Sequence, residues 1–165
     1  MRRILATLAV VGALLFSAGS AWAVFNDGVE AFNSGDYATA LQEFRPLAEQ
    51  GDAKAQFNLG FMYDNGKGVP ENDAEAAKWY RKAAEQGDVM AQYSLGGMYF
   101  RGEGVSQNFT EAVKWFRKAA EQGDAYAQVN LGFMYGTGEG VPMNYVKAYM
   151  WYSLSKAQGN EDAAK

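Results

Sequence analysis

Ser153 and Lys156 stand three residues apart in the run Ser153-Leu154-Ser155-Lys156. This is the S-x-x-K spacing in which a lysine beside a serine nucleophile supports acyl transfer in penicillin-recognising enzymes. Neither S-D-N nor K-T-G, the partner motifs of that chemistry, occurs in the chain. A pattern with two fixed positions arises readily by chance, so no catalytic residue is assigned there. Gly66-Lys67-Gly68 invites a phosphate-loop reading, but no Walker lysine follows and a helix, not a strand, precedes it. Glycines that turn the chain through positive φ account for the spacing.

The carboxylates tell a similar story. A glycosidase-type pair could hide among nineteen of them. Yet Asp52, Asp88 and Asp124 recur at one spacing, as do Glu75 and Glu111, and Glu85 and Glu121. Recurrence is what helix caps and solvated faces produce, whereas a catalytic pair is unique. Asp64, Asn65, Glu71 and Asp73 offer oxygen ligands, but their spacing is a weak match to a calcium loop. With no His and no Cys, the chain lacks the commonest metal ligand and the side chain best suited to proton transfer near neutral pH. No metal or cofactor is expected.

The elements that position these residues come in copies. GDAKAQFNLGFMYDNGKGVPENDAEAAKWYRKAAEQ begins at Gly51, and near-copies begin at Gly87 and Gly123, a period of 36 residues. Such a period signals a solenoid whose units bury their apolar faces against neighbours. In each copy Asp52 or its counterpart caps a first helix, expected over residues 53–63 in the first copy. A glycine-rich turn stops it, and a second helix is expected over residues 73–86, with Gly87 in the place of a left-handed C-terminal cap. Residues 24–50 read as a shortened unit with the tighter turn Ser34-Gly35-Asp36 and a second helix that Pro46 should kink.

Ahead of the repeats, Arg2 and Arg3 precede an uncharged apolar run over residues 4–16, and Ala21-Trp22-Ala23 supplies small residues around a cleavage point. This predicts a signal peptide over residues 1–23, cut after Ala23, and a periplasmic or secreted product without a membrane span. Removing Arg2 and Arg3 from fifteen basic residues leaves thirteen against nineteen acidic ones, a net charge of −6. Nucleic acid and anionic membrane surfaces are disfavoured partners, since both require a basic face. Stability must come from stacking rather than from disulfides.

Comparing the copies with one another separates two sides of the first helix. Positions 55, 56, 59, 60, 62, 63 and 66 hold the same residue in every copy, whereas 54, 57, 58, 61, 64 and 65 change. At about 100° per residue the changing positions fall within an arc of roughly 120°. The constant side, with Ala55, Leu59, Met62 and Tyr63, is the expected stacking core. The changing side carries Lys54, Phe57, Asn58, Phe61, Asp64 and Asn65 in the first copy. Met90, Tyr93, Ser94, Gly97, Phe100 and Arg101 follow in the second, and Tyr126, Val129, Asn130, Phe133, Gly136 and Thr137 in the third. Aromatic residues and arginine are enriched at interface hot spots, which makes this stripe the candidate partner-binding surface. The competing reading is that these residues only fill a narrow inner wall.

The run A-x-x-x-L-G-x-x-Y-x-x-G-x-G-V followed by A-x-x-W-Y/F-x-K-A-A-x-x-G resembles the Sel-one-like repeat, an offshoot of the tetratricopeptide superfamily. Ala55, Leu59, Gly60, Tyr63, Gly66, Gly68, Val69, Ala76, Trp79, Lys82, Ala83, Ala84 and Gly87 carry the match in the first copy. The third departs at Ser155 and Lys156, where the others have two alanines. The resemblance implies an all-α, right-handed α-solenoid of antiparallel helix pairs that serves as a scaffold or adaptor. Its repeats would occupy residues 51–86, 87–122 and 123–158, after a tetratricopeptide-like pair at 24–50. Exported bacterial relatives are implicated in envelope regulation, polysaccharide secretion and host interaction, so a protein or peptide of the cell envelope is the expected partner. Cysteine-rich relatives have been linked to β-lactams, which keeps a cell-wall-directed enzyme using Ser153 or a carboxylate pair as the alternative. A carbohydrate-binding module is a further one, since aromatic faces also stack on sugars.

Residues 159–165 begin another copy and stop without a polar cap. This predicts either a truncated product or self-association through an uncovered face around Ala148, Trp151 and Tyr152.

Overall fold

The computed structural model describes residues 18–159. Within them lie eight helices: α1 (Ala18–Ser34), α2 (Tyr37–Glu49), α3 (Ala53–Asp64), α4 (Asp73–Glu85), α5 (Val89–Arg101), α6 (Phe109–Glu121), α7 (Ala125–Thr137) and α8 (Tyr145–Ala157). Each odd-numbered helix packs on the even-numbered one after it, and each even-numbered helix on the next odd one, giving the all-α solenoid the repeats predict. Most of the expected signal peptide, and all but Gly159 of the incipient further copy, lie outside the described residues. Residues 18–23 form the start of α1. No described helix is long and apolar enough to cross a membrane.

The helix starts follow from side-chain caps. Carboxylates of Asp52, Asp88 and Asp124 accept from the backbone N–H groups of Ala55, Ala91 and Ala127 at 2.7, 2.8 and 2.6 Å. Each satisfies one of the N–H donors a helix start leaves unpaired, at a typical gain of about 1 kcal/mol. The second helices are capped by Asn72, Asn108 and Asn144, at 3.0, 3.1 and 2.9 Å, a role the sequence reading left unassigned. Helix α2 runs through Pro46 without a break.

The paired glycines of the interhelical loops have two different jobs. Gly102 and Gly138 take left-handed C-cap conformations, with φ of 77° and 81°. The second glycine of each pair is squeezed against the preceding unit: a Cβ on Gly104 would lie 2.2 Å from the carbonyl oxygen of Asp73, and one on Gly140 2.3 Å from that of Phe109. Positive φ is thus only half of the reason for the motif. The other half is the approach of one repeat's loop to its neighbour's helix start.

The constant side is the core, as expected. Ala55, Leu59 and Met62 are sealed from solvent, as are their counterparts in the other copies. Each buried leucine contributes on the order of 2 kcal/mol. One cluster joins Ala77, Tyr80 and Ala84 of α4 to Leu95 and Met98 of α5 and Trp115 of α6, so the core runs across repeat boundaries.

Polar ties run along the same boundaries. Buried Gln56 donates to the carbonyl of Ala48 in α2 at 3.0 Å and accepts from Gln86, beyond α4, at 2.7 Å, joining parts of three helices. Gln92 and Gln128 repeat the arrangement with Ala84 and Gln122, and with Ala120 and Gln158. On the outer side Arg81 and Arg117 donate to the hydroxyls of Tyr99 and Tyr135 in the following repeat at 2.6 and 2.8 Å.

The last helix departs from the expectation about its exposed face. Ala148 is buried in the core cluster it shares with α7, and Trp151 and Tyr152 are half-buried against that cluster. The bare apolar residues are instead Tyr145, Val146, Tyr149, Met150 and Leu154. Tyr149 occupies the position of Ala77 and Val113, which the next unit covers in the inner repeats. Helical phase explains the difference: Ala148 and Trp151 lie on the side that meets their own partner helix.

Candidate binding groove

Helices α3, α5 and α7 present their changing positions along one wall, which α1 continues through Val29, Phe32 and Asn33. Three ring contacts cross it from unit to unit: Phe32 to Phe61 at 5.9 Å between centroids, Tyr93 to Tyr126 at 6.2 Å, and Phe100 to Phe133 at 6.2 Å. Phe61 and Phe133 remain 37% and 41% exposed, and Tyr126 60%. Two cavities are sunk into this wall. One, of about 350 Å³, is bounded by Val29, Phe32, Asn33, Phe44, Phe57, Asn58, Phe61 and Met90. The other, of about 300 Å³, is bounded by Asp64, Tyr93, Ser94, Gly97, Met98, Phe100, Arg101, Phe116 and Asn130.

Between them the cavities gather most of the candidate residues. Phe57, Asn58, Phe61 and Met90 line the first; Tyr93, Ser94, Arg101 and Asn130 line the second. Phe133 borders the second through Phe100, and Tyr126 through Tyr93. Lys54, Asn65 and Thr137 are exposed and line neither cavity. Asn65 and Thr137 donate to carbonyls of their own helix, those of Phe61 and Phe133, at 2.9 and 3.1 Å. Phe57 and Tyr93 are half-buried, packed 5.6 Å from Tyr80 and 5.9 Å from Phe116. These two therefore serve as wall filler as well as lining. Phe32, on α1, belongs to the groove but escapes the comparison of copies, because the shortened first unit does not share the 36-residue register of the other three.

The polar cavity owes its shape to one residue. Where the flanking copies have Phe61 and Phe133, the middle copy has Gly97. The guanidinium of Arg101 folds over the vacated site, with Nη1 3.0 Å from where a Gly97 Cβ would stand, and its Nε donates to Glu103 at 2.6 Å. On the opposite side Asp64 accepts from the hydroxyl of buried Tyr80 at 3.1 Å. Burial pushes the Asp64 carboxyl above its ordinary range, Asp73 and Glu103 push the same way, and Tyr80 and Arg101 oppose. Burial and the Asp64 charge together drive the Tyr80 phenol far upward, so it stays protonated and donates.

The two positions change together. Asp64 faces Tyr80, Phe100 accompanies Phe116, and Gly136 accompanies Tyr152. A hydroxyl on the second helix is thus matched by a carboxylate or by empty space on the first, and a plain ring by another ring. The Tyr152 phenol is raised by burial alone.

The other candidate chemistry does not converge on this wall. Ser153 and Lys156 are exposed on α8, while Ser155, the neighbour inside the motif, is buried and donates to the carbonyl of Ala125 at 2.8 Å. Among the described residues no three Asp, Glu, His or Cys side chains gather as a metal site. Glu75 and Glu111 pair with Lys78 and Lys114 on solvated faces.

The Sel1 repeat model matches residues 53–88, 89–124 and 125–160, well over half of the chain. The chain belongs to the Sel1 repeat family. The fold is similar to that of c5321, a protective antigen of uropathogenic Escherichia coli with an SLR fold. The TM-score is 0.85 at 44% identity, over 88% of this chain and 32% of that one. The rat DAP3-binding cell death enhancer 1 is 37% identical over 49 residues, covering 30% of this chain and 10% of that protein. The exopolysaccharide production negative regulator of Rhizobium meliloti (strain 1021) is 40% identical over 57 residues, covering 34% and 21%. The chain spans no more than about a third of the length of any of these three. A Sel1 repeat array is an interaction scaffold, generally without catalytic activity.

Proposed function

We propose that this Sel1 repeat chain is a non-catalytic adaptor, exported to the periplasm or beyond, that holds an extended segment of a protein partner along the wall of α1, α3, α5 and α7. The observation that carries the reading is the run of part-exposed rings and two adjoining cavities on the one side of the solenoid that changes from copy to copy. A wall serving only as filler has no need of exposed Phe61, Tyr126 and Phe133 on a single face. One relative is named for binding a protein, another for regulating exopolysaccharide production, and a third is a protective antigen. The first supports a protein partner; the other two fit a place in the cell envelope.

Site-directed photocrosslinking tests the reading. A photoreactive residue at position 61 or 133 should trap the same envelope protein in living cells, while one at Lys78, on the solvated face of α4, should not. Equal labelling from all three positions, or none, removes the groove from consideration. Export is tested on the same material: the mature protein should begin at Val24, and an intact N-terminus in the cytoplasmic fraction would overturn that part. Self-association through the bare apolar residues of α8 belongs to the same reading. Sedimentation showing a monomer at all concentrations would remove it.

A further inference from the structure

We propose that the segment held in this groove carries a large apolar side chain that enters the cavity at Phe61 and, about one repeat further along, a lysine or arginine side chain that enters the cavity at Asp64. The inference rests on the adaptor reading and specifies what the adaptor recognises.

The first cavity has no charged residue in its lining. Val29, Phe32, Phe44, Phe57, Phe61 and Met90 leave only two asparagine amides as polar groups. A large apolar side chain enters it with no desolvation of charge on either partner. The second cavity has the opposite character. Asp64 Oδ2 is taken by Tyr80, and among the described residues no donor reaches Oδ1. Asn130 spends its Nδ2 on the carbonyl of Tyr126 at 3.0 Å, which leaves its Oδ1 as an acceptor, and Ser94 adds a hydroxyl.

Arg101 also lines this cavity, but its charge is already matched by Glu103 and it makes no ion pair with Asp64. Carboxylates at positions 64, 73 and 103 therefore face a single guanidinium. An incoming cation would find a carboxylate that has no ion pair in a partly desolvated site, whereas an incoming anion would meet the Asp64 charge while the one guanidinium lining the cavity is already paired with Glu103. The upward push that Asp73 and Glu103 exert on the Asp64 carboxyl has the same origin.

The register follows from the copies. Only the middle unit has glycine at the position of Phe61 and Phe133, and only the first has a carboxylate at the position of Phe100 and Gly136. Among the described repeats the subsite for the basic side chain can thus form once, between α3 and α5, and this gives the bound segment a single frame. Neighbouring helices of a packed layer lie about 8–10 Å apart and an extended chain advances about 3.3 Å per residue, so the two side chains are separated by about three residues.

Fluorescein-labelled Gly/Ser decapeptides provide the probe. Each holds one Phe and, three positions on, Lys, norleucine or Glu. Anisotropy titrations with the mature protein should rank them Lys, norleucine, Glu, with at least about a fivefold gap between the first and last. Asp64→Asn keeps an acceptor for Tyr80 and should abolish the preference for Lys over norleucine while preserving Phe-dependent binding. Phe61→Ala should weaken every peptide. Circular dichroism checks that both variants keep their helical content. Glu binding as well as Lys, or an Asp64→Asn protein that still prefers Lys, overturns the cation subsite while leaving the adaptor reading intact. No binding by any peptide overturns the two-side-chain pattern, and the crosslinks at positions 61 and 133 then decide separately whether the groove holds a partner at all.

Discussion

On one side of α3, α5 and α7, Gln56, Gln92 and Gln128 make the same two hydrogen bonds in every repeat. On the other, the site of Phe61 becomes Gly97 and then Phe133. The same three helices thus carry a seam in which nothing varies and a wall in which almost everything does. In a solenoid each unit is stabilised only by its neighbours, so a fault in the seam uncouples two units, while a change in the wall alters only what lies against it. The difference predicts where substitutions will destroy the fold and where they will alter only recognition.

The largest effect should come where backbone meets backbone across the seam. Gly104→Ala forces a Cβ to within 2.2 Å of the Asp73 carbonyl at a φ of +64°. The two repeats must separate or the loop must rebuild, at a cost above about 2 kcal/mol. Gly87→Ala has a φ of +98° but open space around the new methyl. It should cost only the left-handed strain, about 1 kcal/mol. Chemical denaturation of the two variants measures the gap; equal losses would mean that the close approach across the seam contributes nothing.

Next comes Gln92→Ala, which removes one hydrogen bond each from the Ala84 carbonyl and the Gln122 amide, leaves each only its bond to the Gly87 backbone, and opens a small cavity, for a loss of about 2 kcal/mol. A cooperative melt that splits into two transitions would sharpen the comparison further by showing that the clamp couples the repeats.

Much of this division was legible without coordinates. Recurrent aspartates three residues before a buried alanine announce caps, and invariance at Leu59 and Met62 announces core, because both depend on local spacing. The glutamine clamp was visible only as an unexplained constant polar position. Its partners lie eight and thirty residues away, and no local rule links Gln56 to Ala48 and Gln86. The pairing of Asp64 with Tyr80 was hidden for the same reason. The phase of α8 misled because the repeat pattern marks which positions are apolar, not which side lacks a neighbour.

On the variable wall the effects should be smaller. Phe133→Ala removes a ring that is 41% exposed and touches Phe100 across the wall. It should cost about 1 kcal/mol of stability, well below the 3–5 kcal/mol of a buried phenylalanine. A thermal melt decides the matter: a loss as large as that of Gln92→Ala would move Phe133 into the core and deprive the groove of one of its rings.

Asp64 offers the finest test, because it sits in the wall but is held by the core residue Tyr80. Its folded carboxyl is raised above the ordinary value of 3.8, first by burial. The folded state therefore holds this proton more tightly than the unfolded chain does. Over the interval from about 3.8 up through the raised value, the native state binds more protons than the unfolded one, and stability falls as pH rises. Asp64→Asn removes that slope but keeps the hydrogen bond from Tyr80. Relative to the unmodified chain, the variant should gain melting temperature between pH 3.5 and pH 7. A difference independent of pH would mean that folding leaves the Asp64 carboxyl as well solvated as it is in the unfolded chain. The wall would then lack the partly dry carboxylate that distinguishes its first repeat from the other two.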